Sequence, residues 1–206
     1  MGVKISVDGR AFDKGLISSL SSKNNATQVL NALHVGSKPL KKEFEELKKK
    51  MIKDFLSHPV TKEIMAGPGA FNTSGTLKGY GNLFSFIGFS KGDKPIDPII
   101  KLFGQTTLNV SRITSRGRLK VTVTIPSRDD IFGVTPMPWA TGLSWAQRIE
   151  QGMPGFGEYL NKSSVSSRSS QGVQTKSNIR AGGFSNVPYV SSFLKKWQDI
   201  FLKIAK

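Results

Sequence analysis

The chain of 206 residues has no cysteine. That removes disulfides, thiolate metal sites and cysteine nucleophiles together. Histidine is scarce too. His34 and His58 are the only two, both expected at helix ends, and neither has a second histidine or a carboxylate at ligand spacing, so no zinc site is expected. Long apolar runs are missing: nothing approaches the roughly 18 residues of a membrane span. The start, MGVKISVDGR, lacks the apolar core of a signal peptide. Gly2 with Ser6 fits the myristoylation pattern, but the alternation Val3-Lys4-Ile5-Ser6-Val7 explains the same letters as a strand. The expectation is cytosolic synthesis and no membrane.

Catalytic motifs are missing as well. Gly79-Tyr80-Gly81 lacks the third glycine and the Lys-Ser/Thr of a phosphate loop. Ser144, in Gly142-Leu143-Ser144-Trp145-Ala146, lacks the second glycine of a nucleophile elbow. Acids are few, 14 against 30 Lys and Arg, for a net charge of +16 and a pI near 10.2. No acid falls between Asp97 and Asp129, or between Tyr159 and Gln198. Such an excess implies an anionic partner, whether nucleic acid, a membrane surface or acidic protein.

What is present reads as an α+β domain with extensions, long enough for a real core. Residues 1–36 form an N-terminal extension: a strand ending at Asp8-Gly9, a short helix through Leu16, Ile17 and Leu20, and another through Val29, Leu30 and Leu33 closed by Gly36. Ser37 is placed to cap the next helix and Pro39 to sit in its first turn. Leu40, Phe44, Leu47, Met51 and Phe55 form its apolar stripe. Its early Glu43, Glu45 and Glu46 and late Lys48, Lys49, Lys50 and Lys53 suit the helix dipole; the lysines read as a solvated face. Pro59 to Met65 is one more short helix, and Thr73-Ser74-Gly75 a turn. The apolar run Leu83 to Phe89 reads as a strand, or two halves of one around Gly88. Pro95 to Pro98 is a loop into a short segment, Ile99 to Phe103.

The core, residues 37–160, contains a β-hairpin near 107–126. Leu119, Val121, Val123 and Ile125 alternate with Lys120, Thr122 and Thr124 after a turn at Ser115-Arg116-Gly117. Arg112, Arg116, Arg118 and Lys120 are expected to make one side of it basic. Trp145 to Phe156 then forms a packed joint: a short amphipathic segment stopped by Gly152, followed by a loop. Residues 161–184, rich in Ser, Gly and Gln, read as a basic arm. Residues 185–206 complete the core with a helix packed on the small antiparallel sheet. Asn186 can cap it, Pro188 lies in its first turn, and Val190, Phe193, Leu194, Trp197, Phe201 and Ile204 form its stripe.

The order of these pieces resembles the tail-completion, or head–tail joining, proteins of tailed bacteriophages. The likeness rests on the lysine-rich helix, Thr73-Ser74-Gly75-Thr76-Leu77, the valine hairpin, the Trp-Ala-x-x-Ile-Glu-x-Gly segment (Trp145, Ala146, Ile149, Glu150, Gly152), and Pro188-Tyr189. It spans roughly Pro39 to Lys206; the stretches 83–103 and 162–183 look longer than in that family. The resemblance implies a structural, non-enzymatic role without cofactor or metal. Copies would form a homo-oligomeric ring in the virion neck, assembled in the host cytoplasm, beside portal-adaptor and tail-tube or tail-terminator proteins and near packaged DNA. Candidate subunit contacts are Trp145, Ile149, Glu150 and Phe156 in the joint, and Arg168, Lys176 and Arg180 in the arm. Two other classes compete: a basic nucleic-acid-binding protein, and a metal-dependent nuclease built on Asp129, Asp130 and Glu150.

Overall fold

A computed structural model describes residues 3–11, 34–35, 38–77, 81–111, 118–152, 160–162, 172–174 and 185–204, with side chains described within 39–77, 81–109, 121–152 and 185–204. It is an α+β protein. In chain order it runs β1 (Val3–Ala11), β2 (His34–Val35), β3 (Lys38–Pro39), α1 (Leu40–Ser57), α2 (Pro59–Met65) and α3 (Leu83–Ile87). There follow α4 (Asp97–Gly104), β4 (Thr107–Ser111), β5 (Arg118–Ile125), α5 (Arg128–Gly133), β6 (Pro136–Met137) and β7 (Ala140–Ser144). The last elements are α6 (Trp145–Gln151), β8 (Leu160–Lys162), β9 (Gly172–Gln174) and α7 (Val190–Lys203). None of the described helices is long and apolar enough to cross a membrane.

The chain divides into two compact units. The first comprises Met1–Ile52, Leu102–Ser127 and Leu194–Lys206; the second comprises Lys53–Lys101 and Arg128–Phe193.

In the first unit the expected hairpin is present, as β4 antiparallel to β5 with Leu108 opposite Val123. The N-terminal strand, which runs two residues past Gly9, adds on the other side of β5, giving the order β1-β5-β4. Its register sets Ile5 opposite Val123 and Asp8 opposite Lys120. Val121, Val123 and Ile125 are buried while Thr122 and Thr124 are half-exposed, as a two-residue period on a one-sided sheet demands. On α1, Leu40, Phe44 and Met51 are buried, whereas Leu47 is only half-buried. Phe44 meets Phe201 of α7 with ring centroids 5.9 Å apart, and Phe201 meets Trp197 at the same distance. Lysine on α1 is not wholly solvated: Lys48 Nζ donates to the Thr106 carbonyl at 3.0 Å, while Lys49 and Lys50 are exposed.

Some expectations need correction. Pro39 ends β3 and precedes α1 instead of lying in its first turn, and His34 starts a strand, not a helix end. Pro188 likewise precedes α7. In the second unit, Leu83 to Ile87 is a helix rather than a strand. A short, mostly apolar run is compatible with either, and the ends decide. The Asn82 side chain accepts from Ser85 N–H at 2.9 Å, and Gly88 stops the helix in the left-handed region at φ 91°. Ile99 to Phe103 belongs to α4, which begins with Asp97 and Pro98, an acid and a proline suited to a first helical turn. Within the stretch read as an arm, β8 and β9 pair antiparallel, Asn161 opposite Val173. The helices drawn through Leu16 to Leu20 and Val29 to Leu33 lie outside the described residues.

Candidate functional site

The joint at Trp145 is assembled by a relay of small polar groups. Ser144 caps α6, its Oγ accepting from Gln147 N–H at 3.1 Å. Thr135 Oγ1 donates to the Ile131 carbonyl at 2.8 Å, which leaves Ser144 to donate to Thr135 Oγ1 across 2.7 Å. Trp145 N–H donates to the Thr135 carbonyl at 2.8 Å. The hydroxyl at Ser144 is therefore buried and engaged in capping, not presented as a nucleophile.

The far end of α6 holds the start of the last helix. Val187 N–H donates to the Ile149 carbonyl at 3.2 Å. Glu150 accepts twice from Ser191, through Oε1 from the backbone N–H at 2.5 Å and through Oε2 from the hydroxyl at 2.7 Å. A carboxylate on the first N–H groups of a helix satisfies donors that have no partner within it and sits at the positive end of its dipole. Gly152, at φ 89°, ends α6 where an added Cβ would stand 3.2 Å from Asn186 Oδ1. Each residue of the Trp-Ala-x-x-Ile-Glu-x-Gly segment thus has a task in one clasp: burial for Trp145, Ala146 and Ile149, capping for Glu150, the helix stop for Gly152.

Trp145 is 1% exposed and stands in the middle of a chain of rings. Phe84 meets Phe89 at 5.3 Å, Phe89 meets Trp145 edge-on at 5.9 Å, and Trp145 meets Tyr189 at 6.4 Å. Tyr189 stacks on Phe55 at 5.6 Å, and Phe55 meets Phe193 edge-on at 5.2 Å. The Tyr189 hydroxyl, fully buried, bonds Thr61 Oγ1 at 2.7 Å. Burial pushes its phenol above the ordinary value, and the Thr61 bond offsets only part of that rise.

His58 joins this cluster, its ring 4.9 Å from that of Tyr189. Its Nδ1 accepts from Val60 N–H at 3.3 Å and so caps α2. Burial pushes the imidazole below its usual value, against a smaller opposing pull from the Asp54 charge. A protonated Nδ1 cannot accept. The folded state therefore binds this proton less readily than the unfolded chain, so the contribution is complete above about pH 6.5 and is lost as the pH falls through the lowered folded value. The unfolding temperature should drop as the pH falls below about 6.5, and drop less in His58→Asn, which caps without titrating. An identical pH profile in that variant would remove His58 as the cause.

A second clasp, around Glu63, was not foreseen from sequence. Glu63 is 1% exposed, and both its oxygens accept backbone N–H groups: Oε2 from Ser74 at 2.8 Å, Oε1 from Leu83 at 2.7 Å. Asn82 Nδ2 donates to the carbonyls of Pro68 at 2.8 Å and Ala70 at 3.0 Å. Asn72 Nδ2 donates to the Leu77 carbonyl at 2.5 Å. Ser185 N–H reaches the Thr76 carbonyl at 2.8 Å, so the Thr-Ser-Gly-x-Leu turn and the approach to the last helix are joined.

Among the residues expected to touch a neighbouring subunit, Trp145 and Ile149 are buried inside the second unit, and Glu150 is occupied by Ser191. The two buried side chains have no surface to offer a neighbour; their contacts are internal. Phe156, Arg168, Lys176 and Arg180 lie outside the described residues, as do Arg112 and Arg116. Arg118 and Lys120 lie on β5, where backbone register places Ala11 opposite the first and Asp8 and Ser111 opposite the second. Asp129 and Asp130 fall in the first turn of α5. Asp129 is exposed and 3.9 Å from the Arg128 guanidinium, which also lies 5.7 Å from the centre of the Phe132 ring. Among the described residues, no three His, Asp or Glu side chains gather in a way that could hold a metal ion. Comparison of the chain with protein-family models, with curated proteins and with solved structures returned no match.

Proposed function

We propose that this chain is a non-enzymatic structural subunit of a tailed-phage neck, forming a ring that joins the head-side portal or adaptor to the tail tube or its terminator. The observation that carries the reading is the clasp at α6. The segment through which the sequence resembles head–tail joining proteins, Trp145 to Gly152, is the segment that ties α6 to the start of α7. Its polar groups are engaged in structure: Ser144 in capping, Glu150 in holding Ser191. A cyclic arrangement lets one heterologous contact repeat and close without polymerising. On this reading the positive charge of +16 faces acidic protein in an adjoining ring.

The test is direct. The purified protein, alone and mixed with the products of neighbouring virion genes, should give closed rings in electron micrographs and a matching mass by sedimentation. Monomers in both conditions would end the proposal. The charge also favours a second reading, a nucleic-acid-binding protein. That reading requires tight binding to duplex DNA that weakens steeply with salt, without rings and without virion partners.

A further inference from the structure

Phe71 is 85% exposed, the highest value among the described large apolar side chains. Its loop is nevertheless tied at both ends. Ala70 N–H donates to the Gly67 carbonyl at 3.1 Å, and Asn82 holds the carbonyls on either side of Gly69. Beyond Phe71, Thr73 N–H turns back to the Phe71 carbonyl at 2.8 Å, and Glu63 fixes Ser74. A backbone this constrained has already lost the freedom that docking would otherwise cost it. Aromatic side chains, phenylalanine among them, are enriched at the cores of protein interfaces, where they fill pockets on the partner.

We propose that Phe71 is a docking knob that inserts into an apolar, acid-rimmed pocket on a protein other than this chain. The knob is narrow, since polar Asn72, Thr73 and Ser74 follow it directly. That shape suits a pocket. It does not provide the broad apolar face with which a protein lies on a bilayer. Charge supplies the rim. No charged residue occurs from Gly67 to Leu77, the nearest preceding acid is the buried Glu63 with both oxygens engaged, and the cation beside it, Lys62, is exposed. With a net charge of +16, a second copy of the chain is the poorer electrostatic match and an acidic surface the better one.

The proposal goes beyond the neck reading and is separable from it. Phe71→p-benzoylphenylalanine, expressed with the full set of native partners and irradiated, should give an adduct with a different, acid-rich protein identified by mass spectrometry. Phe71→Ala should leave the unfolding temperature unchanged and weaken binding to that protein about thirtyfold. Lys62→Glu should weaken it too. An adduct only with a second copy, an adduct only with lipid, or affinity indifferent to both substitutions would overturn the knob. An acidic partner outside any virion supports the knob and overturns the neck reading. Normally joined particles with no adduct at position 71 do the reverse.

Discussion

Trp145→Ala should cost about 3–5 kcal/mol, the usual penalty for deleting a fully buried large aromatic. Domains of this kind are stable by only about 5–15 kcal/mol, so the variant should lose a large share of its stability and unfold at a much lower urea concentration. The loss is large because the ring sits at the middle of the aromatic cluster. It links Phe89 to Tyr189, and through Tyr189 the chain of rings continues to Phe55 and Phe193. The backbone N–H that bonds Thr135 and fixes the start of α6 survives in alanine, so the loss measures the ring alone. Trp145→Phe keeps a ring for Phe89 and should retain more than half of the lost stability. Urea unfolding followed by far-UV circular dichroism measures both. A loss below about 1 kcal/mol for Trp145→Ala would show that the cavity closes around alanine and that the joint organises nothing.

The parts of the fold legible in sequence were those written in local period or local punctuation. The α1 stripe from Leu40 to Phe55, the Pro59 start of α2, the valine hairpin and the Gly152 stop are all of that kind. The run Leu83 to Ile87 reads as a strand because four apolar residues around Ser85 carry no usable period. The signal lay one position outside, in Asn82 and Gly88, a cap and a stop at helical spacing. Long-range pairings were invisible for a different reason. Nothing in Val3 to Ala11 says that it will lie beside β5 and bring Asp8 opposite Lys120, so the hairpin alone reads as basic on one side.

The site was half legible. The segment Trp145 to Gly152 stood out, and Glu150 within it, but its partner Ser191 lies 41 positions away. Capping is usually local, from a residue one or two positions before the helix. Asn186 and Pro188 carry the local signals of a helix start, whereas the carboxylate on Ser191 arrives from another helix. Tyr189 was read as the opening of α7, and its burial beside His58 and Thr61 could come only from tertiary packing. Glu63 was the least legible. An acid in a short amphipathic helix reads as solvated, because burial of such a group requires partners that sequence does not place nearby.

That burial makes Glu63 the second site of large expected effect. Glu63→Ala removes both acceptors at once and leaves the Ser74 and Leu83 N–H groups without them. A hydrogen bond to a carboxylate contributes about 1.5–3 kcal/mol, so the loss should be about 3 kcal/mol even after partial rehydration. Glu63→Gln separates geometry from volume. Its oxygen can serve one amide, but its nitrogen then faces the other donor, and a loss of about 1–2 kcal/mol is expected. Glu63→Leu supplies a third arm: it restores apolar volume and no acceptor. If hydrogen bonding is the cause, the leucine variant should be as unstable as alanine, and amide exchange should accelerate at both Ser74 and Leu83 in those two variants and at one of the two amides in Glu63→Gln. Should Glu63→Leu match the parent protein in stability, the carboxyl group would be a space-filler and the loop would owe its order to Asn82 and Asn72. If instead the amides open, the Phe71 loop loses its fixed frame while Phe71 itself is untouched. Binding through Phe71 should then weaken in Glu63→Gln with no change in the contacting side chain, because the cost of ordering the loop returns to the binding step.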